Sequence, residues 1–140
     1  MSIINALRTY LSTYESLKAG APLFVDHIGD GPTEYAIIPL PGSQIVEEYV
    51  DGSSVREYPF AFQSAESTAD DLERIENSGF YEDFAAWLES QTDAEDFPTL
   101  SSGKTPEKIE ALGWAFLYQQ GESDTGIYQI QCKLTYIQDN

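Results

Sequence analysis

Histidine, cysteine and positive charge are nearly missing from this chain. Its 140 residues include one histidine, His27, and one cysteine, Cys132. A lone cysteine cannot close an internal disulfide, so a cytoplasmic life is the expectation. A lone histidine beside Asp26 cannot build a zinc site, which needs three or four ligands. A Cys–His nucleophile pair has no support, because Cys132 falls on the inward side of an alternating stretch and reads as a small core residue. No nucleophile-elbow sequence is present to supply a serine. Gly29-Asp30-Gly31-Pro32 ends in a residue without an N–H, and no Lys-Ser/Thr follows, so it is no phosphate loop. Asp26, Asp30 and Glu34 miss the calcium-loop spacing. Long apolar runs are missing too: none approaches a membrane span. The opening Met1-Ser2-Ile3-Ile4-Asn5 lacks the basic region and apolar stretch of a signal peptide.

The shortage of bases is the largest imbalance. Seven Lys and Arg face 24 Asp and Glu, for a net charge of −17. Direct binding to nucleic-acid phosphates needs clustered cations, and anionic membranes repel such a chain for the same reason. Residues 66–96 hold eleven acids against one base, Arg74. That stretch reads either as a solvated helix face with a polar loop, or as a surface that repels anions or meets a basic partner. Carboxylate pairs such as Asp70-Asp71, Glu47-Glu48, Glu82-Asp83 and Glu95-Asp96 are so common here that none points to glycosidase or magnesium chemistry. The expectation is a protein that is not an enzyme, with no catalytic residue, no cofactor and no metal.

What the chain has is apolar and aromatic material: 41% hydrophobic and 13% aromatic residues, enough for one domain with a real core. Residues 2–18 read as a helix, with Ile3, Ile4, Leu7, Leu11, Tyr14 and Leu17 at three- and four-residue steps, capped by Ser2 and stopped at Gly20. Residues 23–25 are a short strand or extended segment, 26–32 a loop, and 35–40 a strand. Residues 44–50 and 55–64 form a hairpin around Asp51-Gly52-Ser53. Pro59 removes a ladder donor, which predicts an edge position or an interruption in the second arm. A second helix, capped by Ser67 or Thr68, buries Leu72, Ile75, Phe80, Phe84, Trp87 and Leu88, with Asn77-Ser78-Gly79 as a potential kink. Residues 93–105 are a polar loop.

The C-terminal hairpin organises the rest. Its second arm, 127–138, alternates: Tyr128, Ile130, Cys132, Leu134 and Tyr136 on one side, Gln129, Gln131, Lys133 and Thr135 on the other. Its first arm, 109–119, is apolar on both sides, which predicts a central strand with helices on one face and a loop, a second layer or another subunit on the other. The fold class expected is α+β: a mostly antiparallel sheet with two main helices on one face, in the order α-β-β-β-α-β-β. The outward residues Gln129, Gln131, Lys133 and Thr135, together with loops 26–32 and 93–103, are the candidate interface.

Three stretches then carry a family resemblance: Gly103-Lys104-Thr105-Pro106-Glu107-Lys108-Ile109-Glu110-Ala111, residues 126–136 (Gly126-Ile127-Tyr128-Gln129-Ile130-Gln131-Cys132-Lys133-Leu134-Thr135-Tyr136), and Ser78-Gly79-Phe80-Tyr81-Glu82-Asp83-Phe84-Ala85-Ala86-Trp87-Leu88. They resemble the minor capsid or tail-completion proteins of long-tailed phages and prophages of Gram-positive bacteria, and the element order is similar to that of the phage tail terminators. The resemblance covers most of the chain and rests on packing residues. It implies a homo-oligomeric ring, commonly of six subunits, that caps the tail tube and meets the head connector, in the virion and, during assembly, in the host cytoplasm. It implies no catalysis. An acidic lumen would let DNA pass without sticking. The alternative reading is a small acidic binding module, a DNA mimic or an inhibitor of a nucleic-acid enzyme, with 66–96 as its active surface.

Overall fold

A computed structural model describes residues 2–14, 23–25, 35–41, 45–67, 71–120 and 125–139. The elements run α1 (Ile3–Leu11), β1 (Leu23–Val25), β2 (Tyr35–Pro39), β3 (Ile45–Glu48), β4 (Ser54–Ser67), α2 (Asp71–Asp93), β5 (Lys104–Ala111), β6 (Phe116–Gln120) and β7 (Thr125–Gln138). The fold is α+β, with one sheet and two helices, as the patterning predicts. Two strands exceed the expected order. The segment at 23–25 is a strand, and the apolar arm 109–119 is two strands instead of one.

The C-terminal alternation becomes β7, which pairs antiparallel with β4 over fourteen successive residues, from Ser54 opposite Gln138 to Ser67 opposite Thr125. Neither strand is bulged along this ladder. β2 and β3 share the far side of β4; β5 and β6 share the far side of β7. All strand pairs are antiparallel except β1 with β2.

Pro59 does not mark an edge. It lies inside β4, opposite Lys133. Its carbonyl accepts from the Leu40 N–H at 3.0 Å, so its missing N–H would point to the same side. On that side β2 ends, pairing with residues 60–64 of β4, while β3 pairs with residues 54–56. The proline sits where β2 gives out: Leu40 stands opposite it, and of that pair's two ladder bonds only the one from the Leu40 N–H to the Pro59 carbonyl is made.

One face of the sheet carries the core. Ile37, Phe62 and Ile130 stand in register, as do Phe60 and Cys132, Tyr58 and Leu134, and all but Tyr58 are fully buried. Leu7, Tyr10, Leu11 and Tyr14 from α1, and Tyr81, Phe84 and Leu88 from α2, complete it. Phe62 stacks on Phe84 with ring centroids 4.6 Å apart, and Tyr14 packs on Trp87 at 4.7 Å. Such offset pairs add about 0.5–1.5 kcal/mol beyond the area they bury. The buried Ser64 hydroxyl is satisfied by Tyr81 Oη, which also reaches the Tyr128 carbonyl at 3.2 Å.

α1 begins at Ser2, whose side chain accepts from the Asn5 N–H, and ends earlier than the stripe suggests. Ser12 Oγ donates to the Thr9 carbonyl and Thr13 Oγ1 to the Tyr10 carbonyl, so local hydroxyl bonds compete with the helix there. Lys18 and Gly20 lie outside the described residues. α2 is one unbroken helix through Asn77-Ser78-Gly79, not two. Gly79 is tolerated because a helix interior asks only about 1 kcal/mol more of glycine than of alanine. Ser67 ends β4 and is not in the helix; Thr68 and the side chains of Leu72 and Ile75 lie outside the description. No helix among the described residues is long and apolar enough to cross a membrane.

The 93–103 loop is anchored, contrary to its polar composition. Phe97 and Leu100 pack against the core and Pro98 is buried. Tyr10 Oη donates to the Asp96 carbonyl at 2.8 Å. Burial, reinforced by the Asp96 carboxylate and opposed by a Gln91 hydrogen bond, pushes the Tyr10 pKa up from 10.0 to about 12.

Two outcomes follow for stability. Phe62→Ala removes the ring at the centre of the core and should cost about 3–5 kcal/mol in urea titrations. Tyr10 holds its proton more tightly folded than unfolded. Its contribution is therefore complete below pH 10 and lost as pH rises to about 12. Tyr10→Phe should lessen the alkaline loss of stability in that window and leave neutral-pH titrations without a new pH dependence.

Candidate functional site

The four polar residues predicted to face outward from β7 do not form a free surface. Gln129 is buried, and its Oε1 accepts from Gln63 Nε2 at 2.6 Å across the β4–β7 ladder. Lys133 pairs with Glu57, whose carboxylate raises the ammonium pKa above its ordinary value. Thr135 is half-buried, and Gln131 alone is exposed. The reason is register: β7 lies inside the sheet, so its polar side chains meet those of β4. Around the Gln63–Gln129 pair stand Ala36, Ala61 and Ala65, all buried. The 26–32 loop, His27 included, lies outside the described residues.

The apolar arm expected at the centre lies instead at the edge. β5 pairs with residues 132–138 of β7, and β6 with residues 126–129. The Leu112 N–H still donates to the Gln131 carbonyl at 2.7 Å; the chain leaves the ladder at residues 113–115, where Gly113 has φ 155°, a conformation that side chains disfavour. Leu112, Trp114, Phe116, Leu117 and Tyr118 are exposed, Trp114 at 77%. Its two-sided apolar character therefore does not come from being covered inside the fold. Residues 111–120 carry no charge, in a chain with 31 charged side chains.

A second apolar surface lies on the opposite edge. The β3–β4 hairpin exposes Val46, Tyr49 and Val50, the last completely. Its tip is well held: Asp51 Oδ1 accepts from the Ser53 N–H at 2.9 Å and from Ser53 Oγ at 2.6 Å, and these bonds lower the carboxyl pKa. Gly52 takes φ 92° to close the turn. The sequence signalled the turn but not the exposure, since a hairpin of this pattern normally buries one side.

Between α2 and β5 runs a cleft of about 690 Å³, floored by Ala85, Ile109 and Ala111 and rimmed by Glu82, Glu89 and Trp114. Thr92 closes the strand edge within it. Its hydroxyl donates to the Ile109 carbonyl at 2.7 Å and accepts from the Ile109 N–H at 3.1 Å. One side chain thereby occupies both backbone groups that Ile109 turns away from β7, and strand addition at that point is blocked.

Among the described residues, no three His, Cys, Asp or Glu side chains converge as metal ligands. Cys132 is fully buried, and burial drives its thiol pKa upward, away from a reactive thiolate. The exposed acids of α2, Glu82, Asp83, Glu89 and Asp93, stand on its solvent side. Among the described residues, the exposed large apolar side chains gather on the 112–118 strip and on the β3–β4 hairpin. No protein-family model matches this chain, and no curated protein matches it.

Thr92→Val keeps the shape and removes both hydrogen bonds to Ile109. It should destabilise the fold by about 1–2 kcal/mol, since Thr92 is half-buried and water replaces part of the loss. Thr92→Ser should retain most of the stability; equal losses in the two variants, measured by chemical denaturation, would assign the effect to packing instead.

Proposed function

We propose that this chain is a structural virion subunit: a tail terminator or head–tail joining protein of a long-tailed phage or prophage, which assembles into a ring at the end of the tail tube. The observation that carries this reading is the pair of uncovered apolar edges on opposite sides of the sheet. A subunit with different sticky surfaces on two sides associates head to tail, and such contacts close into rings when the rotation allows. The α+β fold with both helices on one face supports the same reading, because the family that the sequence resembles implies that architecture. The net charge of −17 suits a wall past which DNA must slide. A DNA mimic would use the acids of residues 66–96 and leave both apolar edges without a purpose.

Six copies would bring together about a hundred negative charges, so assembly is opposed at low ionic strength and favoured as salt screens it. Light scattering at low and moderate salt, with and without the tail-tube protein, should show a species near six times 15.6 kDa that gains population with salt. A ring that dissociates as salt rises, or a chain that stays monomeric even with the tube protein, counts against this function. Tight binding of the monomer to a nucleic-acid enzyme would favour the mimic.

A further inference from the structure

The two apolar edges cannot cover one another within one copy. β3 pairs with β4 at residues 54–56, beside residues 136–138 of β7, whereas β6 pairs with β7 at residues 126–129. They occupy opposite edges of the sheet and are offset by roughly 15–30 Å along the strand direction alone. Whatever covers them comes from outside the described fold.

We propose that the partner is a second copy of this chain, placed so that the hairpin bearing Val46, Tyr49 and Val50 of one copy packs on the 112–118 strip of the next. This rests on the ring reading and names the contact within it. Charge selects the arrangement. The hairpin carries Glu47, Glu48 and Asp51, so packing hairpin on hairpin would set these acids against their own copies. The 111–120 strip itself has no charge, so the direct contact sets no acid on acid; the acids nearest it, Glu82, Glu89 and Glu110, line the adjoining cleft at Trp114 together with Lys108. Strip on strip would avoid charge as well, but would leave the hairpin bare. Only the head-to-tail contact covers both.

Area agrees with this choice. The exposed parts of these residues, backbone and tyrosine hydroxyls included, amount to on the order of 1,000 Å², near the lower bound of a specific interface. The strip supplies a tryptophan and a tyrosine, the residue types that dominate binding energy. The Asp51–Ser53 bonds hold the hairpin tip in shape before contact, which lowers the ordering cost of docking Val50.

Complementation of two variants tests the contact. V46D/V50D alters the hairpin alone, and W114D/Y118D alters the strip alone. All four residues are exposed, so circular dichroism should be unchanged. In sedimentation experiments at moderate salt, each variant alone should self-associate at least about 30-fold more weakly than the unaltered chain. An equal mixture should form a one-to-one pair and nothing larger, because one intact hairpin then meets one intact strip. A mixture that stays monomeric, or an unaltered chain that stays monomeric up to its solubility limit, overturns the contact. Rings that persist in both variants overturn it too, while leaving the ring reading in place. Pairing in the mixture combined with open-ended growth of the unaltered chain supports the contact and defeats the ring.

Discussion

The β4–β7 ladder is the constraint on which the other elements depend. Fourteen uninterrupted pairs hold these two strands in one register, and that register decides what every neighbour sees. It sets Phe60, Phe62, Ile130 and Leu134 on the helix side, where α1 and α2 bury them. It sets Gln63 against Gln129 and Glu57 near Lys133 on the other side. A slip of one residue would exchange the two faces and place glutamines and a lysine under the helices. The outer strands are short and attach in pairs: β2 and β3 along one side, β5 and β6 along the other. Each pair leaves a break. One break takes the proline of β4, and the other turns at Gly113.

The two sides of this fold therefore differ in how completely they are finished. The core side is dense with aromatic rings, and its buried hydroxyls have partners. The edges keep apolar side chains in water, although Thr92 shields the backbone of β5 at Ile109. This is selective protection. Shielding the backbone suppresses indiscriminate strand addition, while the uncovered side chains nearby are the ones the proposed contact between copies would use. The 111–120 strip carries no charge that would oppose the contact proposed for it.

Much of the fold was legible because period and punctuation agreed. The alternation of Tyr128, Ile130, Cys132, Leu134 and Tyr136 specified β7, and Asp51-Gly52-Ser53 specified the hairpin turn. The candidate surface is legible only in part, for two physical reasons. A strand that is apolar on both sides has the same pattern whether its own fold or another molecule covers it, so the pattern of residues 109–119 admits another subunit on one face but suggests a central strand where the sheet has an edge. Outward polarity on β7 was read as exposure, but in an interior strand a glutamine finds its partner on the next strand, as Gln129 finds Gln63. Pro59 misleads similarly: its missing donor costs one bond of the last β2–β4 pair, opposite Leu40, and interrupts neither β4 nor its ladder with β7. In the 93–103 loop, Phe97 and Leu100 were the overlooked signal, since two large apolar residues in a polar segment can anchor it.

Charge and contact area together explain why such a subunit would assemble under control. In the proposed assembly the apolar edges would offer an interface of modest size, and the net charge of −17 would oppose every encounter between copies. Neither effect dominates by a wide margin: area of this order supports anything from weak to tight binding, depending on how well its aromatic anchors are seated. Assembly is then sensitive to whatever tips the balance, whether screening by salt or a template that holds neighbouring copies close. A template raises the effective concentration of each copy beside the next, and so converts a marginal pairwise contact into a stable ring without any new interaction. The same balance would keep free copies apart until that template exists, so the acidity that suits a DNA passage would also time its construction.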